Sequence, residues 1–100
     1  MAALYFLRPG ENSFGASPLA DMVLPEGPAS AGVVEFRGGE VYLKATAGQP
    51  LVVDGQPVMA AQLYPQEGDR KDVTIGDLTM WVHNSGERLA IRLRDRNSQI

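Results

Sequence analysis

The sequence predicts an all-β protein, an antiparallel β-sandwich of about ten short strands. Three observations carry this expectation. Glycine (11) and proline (7) recur every few residues along the 100-residue chain, so hardly any interval is free of both for long enough to bury a helical apolar stripe with its 3.6-residue period. Apolar and polar residues instead alternate in short runs, the period-two signature of half-buried strands. The runs are divided by segments with turn chemistry: Gly38-Gly39, Asp54-Gly55, Gly76-Asp77 and Asn84-Ser85-Gly86.

The elements follow in order. Ala3 to Leu7 is an apolar first strand ended by Arg8-Pro9-Gly10; it is short and lacks the basic leader and small-residue cleavage site of a signal peptide. Asn12 to Gly15 is a short second strand. Asp21 to Leu24 places Met22 and Leu24 on one face, and Pro25 stops it. Gly32 to Arg37 sets Val34 and Phe36 together; after Gly38-Gly39, Glu40 to Thr46 returns with Val41, Leu43 and Ala45 on one face and Tyr42 and Lys44 on the other. Leu51 to Val53 and Gln56 to Val58 form a second hairpin around Asp54-Gly55, a pair suited to positive φ at both central positions. Gln62 to Tyr64 is a weak strand, and the polar segment from Pro65 to Lys71 is expected to be the most mobile loop. Asp72 to Ile75 and Leu78 to His83 flank Gly76-Asp77. Arg88 to Arg94 completes the pattern, with Leu89, Ile91 and Leu93 inward and Arg88, Arg92 and Arg94 outward.

Composition narrows the function. The length fits one domain spanning residues 1–100. Nine Lys and Arg against twelve Asp and Glu give a formal charge of −3, which argues against a general nucleic-acid binder. The chain has no cysteine, so it holds no disulfide, thiolate metal site or cysteine nucleophile; this fits a reducing compartment such as the cytoplasm. No apolar run approaches the roughly 18 to 20 residues that span a bilayer. No membrane partner and no cofactor is implied.

Few residues invite chemistry. His83 is the only histidine and lacks the companions a metal site needs; it reads as a solvated residue near a strand end. Asp21 is a candidate catalytic carboxylate, but a turn or loop-capping carboxylate accepting backbone N–H groups after Ser17-Pro18 is the better explanation. Turn duty explains Asp54. Ser30 lies in a loop with no His–Asp partnership in view. Neither Gly-x-Ser-x-Gly, His-Glu-x-x-His nor a phosphate-binding glycine loop occurs, and the chain reads as non-enzymatic. The segment from Glu87 to Arg96 is more suggestive: four arginines against two acids give a local charge of +2. Arg88, Arg92 and Arg94 share one strand face, either as a patch for an anion or acidic partner, or as a solvated face that guards an edge strand or pairs with acids such as Asp77. Trp81 and Tyr42 fall on outer faces and would mark a contact surface if exposed together. The candidate interaction residues are therefore Ser30, Trp81, Arg88, Arg92 and Arg94.

The order of motifs adds a resemblance. Gly15, Ser17, Asp21, Met22 and Leu24, then Val53-Asp54-Gly55-Gln56-Pro57-Val58, then Asp72 to Leu78 are similar in spacing to the forkhead-associated (FHA, SMAD/FHA-like) family, whose fold is a β-sandwich that binds phosphothreonine peptides. The resemblance implies an FHA-like sandwich with a degenerate site. The family's phosphate-gripping arginine, directly after the glycine, is Ala16 here. The family's Ser-x-x-His loop matches Ser30 to Val33, keeping the serine but not the histidine, and its asparagine falls near Gln49. A phosphate dianion needs charge-assisted donors to offset its desolvation, and Ser30 alone would hold it weakly.

Leu7 to Gly15, Val23-Leu24-Pro25, Val53-Asp54-Gly55, Arg88-Leu89 and Arg92-Leu93-Arg94-Asp95 together resemble more closely a family of uncharacterised, mostly bacterial proteins, the domain of unknown function 1684 family. Its members continue into a second segment, which implies that this chain corresponds to the N-terminal module alone. Three functions follow as expectations. The leading one is an interaction or structural module whose partner is another protein or the missing C-terminal segment. The alternatives are part of an enzyme or small-ligand-binding protein completed by that segment, and phosphopeptide binding with Arg37 or Arg92 in the arginine role.

Overall fold

A strand with one apolar face is stable only when that face meets another sheet, and the alternating runs of this chain solve the problem twice over. The computed structural model describes residues 2–25, 27–65, 70–86 and 88–95. Among them are eleven strands and no helix: β1 (Ala2–Phe6), β2 (Gly10–Gly15), β3 (Met22–Val23), β4 (Gly32–Arg37), β5 (Glu40–Ala45), β6 (Leu51–Val53), β7 (Gln56–Val58), β8 (Ala60–Tyr64), β9 (Val73–Ile75), β10 (Leu78–Ser85) and β11 (Arg88–Asp95). They form a six-stranded sheet ordered β1-β11-β10-β9-β6-β7 and a five-stranded sheet ordered β3-β2-β4-β5-β8. No helix among the described residues is long and apolar enough to cross a membrane.

The inner faces meet in one core. Phe14, Val34, Val41, Leu43 and Leu63 come from the smaller sheet; Leu78, Met80, Val73, Ile91 and Leu93 come from the larger. The expected alternation holds where it was clearest. Ile91 and Leu93 are buried with Leu89 packed against them, while Arg88, Arg92 and Arg94 are exposed. Both hairpin turns have the backbone their sequences demand: φ is +57° at Gly38 and +79° at Gly39, and +50° at Asp54 and +83° at Gly55. Pro57 lies on β7, an edge of its sheet, where a missing N–H leaves no ladder bond unmade.

The structure corrects three expectations. The sandwich is not wholly antiparallel, because β3 pairs parallel to β2. The weak strand begins earlier, at Ala60, and its alternation is broken by a register shift opposite Val41 and Tyr42. That irregularity turns both Leu63 and Tyr64 toward the core, which is why the segment reads poorly as a strand. Arg88 to Asp95 is not an edge: β11 lies between β1 and β10, so its arginines guard no open ladder. The expected mobile loop lies in part outside the described residues, at 66–69.

Candidate functional site

At one end of the five-stranded sheet, the segments linking β2 to β3, β3 to β4 and β5 to β6 are tied together through their backbones. Ala16 N–H donates to the Pro28 carbonyl (2.9 Å), Ser17 N–H to that of Ala29 (3.1 Å), Ala31 N–H to that of Phe14 (2.9 Å) and Thr46 N–H to that of Ala31 (3.1 Å). This close passage dictates glycine at position 15. A Cβ there would lie 2.1 Å from the Ala29 carbonyl oxygen, well inside contact distance.

Ser30 is exposed on this platform. Its hydroxyl lies 3.5 Å from that of Thr46, and Thr46 Oγ1 donates to the Ser30 carbonyl (2.9 Å). Ser30 lines a cavity of about 180 Å³ together with Ser13, Phe14, Ser17, Leu19 and Ala29. Two of its serine hydroxyls are already engaged. Ser17 Oγ accepts from Leu19 N–H (3.1 Å), and Ser13 Oγ accepts from Asp21 N–H (3.0 Å).

Asp21 is a structural carboxylate, and it is held by β2 rather than by the Ser17-Pro18 turn. Its Oδ2 accepts from Ser13 N–H (2.9 Å) and Ser13 Oγ (3.2 Å), and Arg8 Nη2 donates to Oδ1 (2.9 Å). The Ser13 backbone N–H first, then the Ser13 hydroxyl and the Arg8 guanidinium, hold its pKa below the usual carboxylate value against some desolvation.

Among the described residues, neither Arg37 nor Arg92 lies at the loop platform. Arg37 sits at the far end of β4 from Ser30, roughly 20 Å away at about 3.3 Å per residue, and is ion-paired with Glu35. Arg92 lies on the outer face of the other sheet. Gln49 is exposed next to the platform, its N–H bonded to the Thr46 carbonyl (2.9 Å). His83 is on the outer face of the six-stranded sheet and is not brought to Ser30. The described residues contain no group of three or more histidines or acids able to hold a metal.

The other candidates gather on that outer face. Trp81, half-buried, stands opposite Arg92, and Arg92 opposite Leu4. The Arg88 guanidinium lies 4.1 Å above the Phe6 ring, and that of Arg70 lies 3.9 Å above Trp81. None of the in-register partners of Arg88, Arg92 and Arg94 is an acid. Tyr42 is on the outer face of the opposite sheet, where its hydroxyl donates to Glu40 Oε1 (2.8 Å), so Tyr42 and Trp81 form no common surface.

Two buried polar residues escaped the reading of the sequence. Asn12, 2% exposed, accepts from Arg8 N–H through Oδ1 (3.0 Å) and donates through Nδ2 to the carbonyls of Arg8 (2.9 Å), Gly10 (3.2 Å) and Val34 (3.2 Å). Its only signal is a polar residue at the start of a strand that follows Pro9-Gly10. Glu35 is nearly buried under its ion pairs with Arg37 and Lys44; the basic residues two positions on and across the hairpin are its signal.

No family model matches the chain, and no curated protein matches it. Solved structures do. The chain is similar to the FHA domain of FhaA, solved in complex with the intracellular domain of Rv3910, with a TM-score of 0.62 and 20% identity over 94% of this chain and 100% of that one. It is also similar to the N-terminal FHA domain from EssC, a component of the bacterial type VII secretion apparatus, with a TM-score of 0.69 and 15% identity over 97% of this chain. The chain spans about half of that second structure (47%). These likenesses establish the fold: an FHA-like β-sandwich.

Proposed function

We propose that the chain is a non-catalytic protein-interaction module whose loop-end site no longer recognises phosphate. One observation carries the reading: the position after Gly15 is Ala16, and the loop platform offers hydroxyls in place of a guanidinium. A phosphate dianion leaves water only for donors that are themselves charged or numerous. Here the Ser13 hydroxyl is spent on the Asp21 carboxylate, and the N–H groups of Ala16 and Ser17 are spent on the Pro28 and Ala29 carbonyls. The FhaA neighbour, solved with a protein partner, supports an interaction role on the same fold. Leu19, at the lip of the serine-lined cavity, is 92% exposed and gives the platform an apolar contact instead of an ionic one. In this reading the partner is another protein, or the second segment carried by the longer chains of the domain of unknown function 1684 family.

Calorimetric titration of matched peptide pairs tests the proposal. Phosphothreonine peptides are expected to bind no more tightly than their unphosphorylated counterparts. Micromolar, phosphate-dependent binding would overturn it.

A further inference from the structure

We infer that the outer face of the six-stranded sheet docks an acidic, apolar-bearing protein segment. This deepens the proposed function and rests on its reading of the chain as an interaction module, but it places the contact on β1, β11 and β10 rather than at the loop ends.

The six described arginines divide into two groups. Arg8, Arg37 and Arg70 are ion-paired with Asp21, Glu35 and Asp72. Arg88, Arg92 and Arg94 appear in no ion pair among the described residues, although the chain carries a net −3 and does not lack acids. These three share one face of one strand. Arg88 is stacked on Phe6, and Arg92 stands between Leu4 and Trp81 in register. A guanidinium held over a ring face can keep N–H donors open at its edge, so it arrives at an interface already positioned. Leu4 and Phe6 are 40% and 42% exposed, large apolar side chains interleaved with the cations. Arginine, tryptophan and phenylalanine mixed in one patch make up the composition of binding hot spots.

The occupant follows from charge and surface. Guanidinium edges without an ion pair among the described residues call for carboxylates, and exposed Leu4 and Phe6 beside half-buried Trp81 call for apolar side chains between them. A polypeptide with acids and apolar residues supplies both. A nucleic-acid backbone supplies only phosphates, and a chain of −3 works against the long-range attraction on which phosphate backbones depend.

Trp81 is the only tryptophan, so its emission reads this face alone. The chain is titrated with a synthetic peptide of glutamates interspersed with phenylalanines, with the lysine counterpart of that peptide, with a DNA oligonucleotide and with phosphatidylserine vesicles. The acidic peptide is expected to change Trp81 emission. The affinity should fall roughly tenfold in the double variant Arg92→Glu/Arg94→Glu, and less in Arg92→Gln/Arg94→Gln, with circular dichroism confirming that each variant is folded. Lys44→Gln, on the opposite sheet, should leave it unchanged. The inference is overturned by no Trp81 response to the acidic peptide, by binding indifferent to both double variants, or by tighter binding to DNA or vesicles. Phosphate-dependent binding that survives in the double variants would instead count against the loop-end reading.

Discussion

Asn12 shows how much of the loop end depends on a single amide. Its side chain closes the turn between β1 and β2 and reaches across to β4, using both of its polar atoms in a space water does not enter. Asn12→Ala would strand an N–H and carbonyls that have lost their partner, and unfolding in urea is expected to show a loss of about 2–3 kcal/mol. Asp21 gives a pH signature. Its folded pKa lies below the ordinary 3.8, so its contribution is present above that value and fades as pH falls through the lower folded value. Asp21→Asn should therefore be less stable than the parent at neutral pH, with the difference in midpoint narrowing as the pH drops below 3.8. The role of Asn12 was not legible beforehand; for Asp21 the acceptance of a backbone N–H was, but not the partner that supplies it. Alternation says which way a residue points but not whether a polar one finds partners, and Asp21 finds its partner in Ser13, eight positions back on β2.

At the scale of elements, turn chemistry was the most readable feature. Asp54-Gly55 demanded positive φ at both residues and adopts it. Asp54 also does more than turn. Its Oδ1 accepts from Asp72 N–H (2.9 Å) and its N–H donates to the Asp72 carbonyl (2.9 Å), joining the hairpin to the start of β9. Asp54→Ala loses the side-chain bond and leaves a Cβ residue without local compensation in the left-handed region, for a cost of about 1–2 kcal/mol. Asp54→Asn should keep most of that stability, and thermal melts of the two variants separate the contributions. Strand order was much less readable than strand existence. Period two places Arg88, Arg92 and Arg94 outward whether β11 is an edge or an interior strand. Only the return of β1 to pair with it, from the far end of the sequence, decides between them.

For the whole molecule, the sandwich could be read because its motifs occur in order along the chain, and each turn residue agreed with the strands on either side. The proposed loss of phosphate recognition rests on Ala16, a position the sequence already displays. The cationic face was half readable: the period put the arginines together, but the stacking of Arg88 on Phe6 and of Arg70 on Trp81 joins residues far apart in sequence. The two surfaces are separate, one at the end of the smaller sheet and one across the larger. The phosphothreonine titration and the acidic-peptide titration should therefore respond to different substitutions.

The pairing of β1 with β11 has a mechanical consequence. The two strands are antiparallel, with Ala2 opposite Arg94, so residues from the first and last strands of the fold sit at the same corner. Antiparallel ladder bonds lie perpendicular to the strands. A pull applied at that corner through both strands would load them one pair at a time, as a zipper opens, rather than all at once in shear. The same closeness would let a host protein carry the module in one of its own surface loops with little distortion of either partner. A sandwich joined to its neighbours at this corner would yield to modest force by peeling β1 first, and Leu4 and Phe6 would leave the cationic face with it.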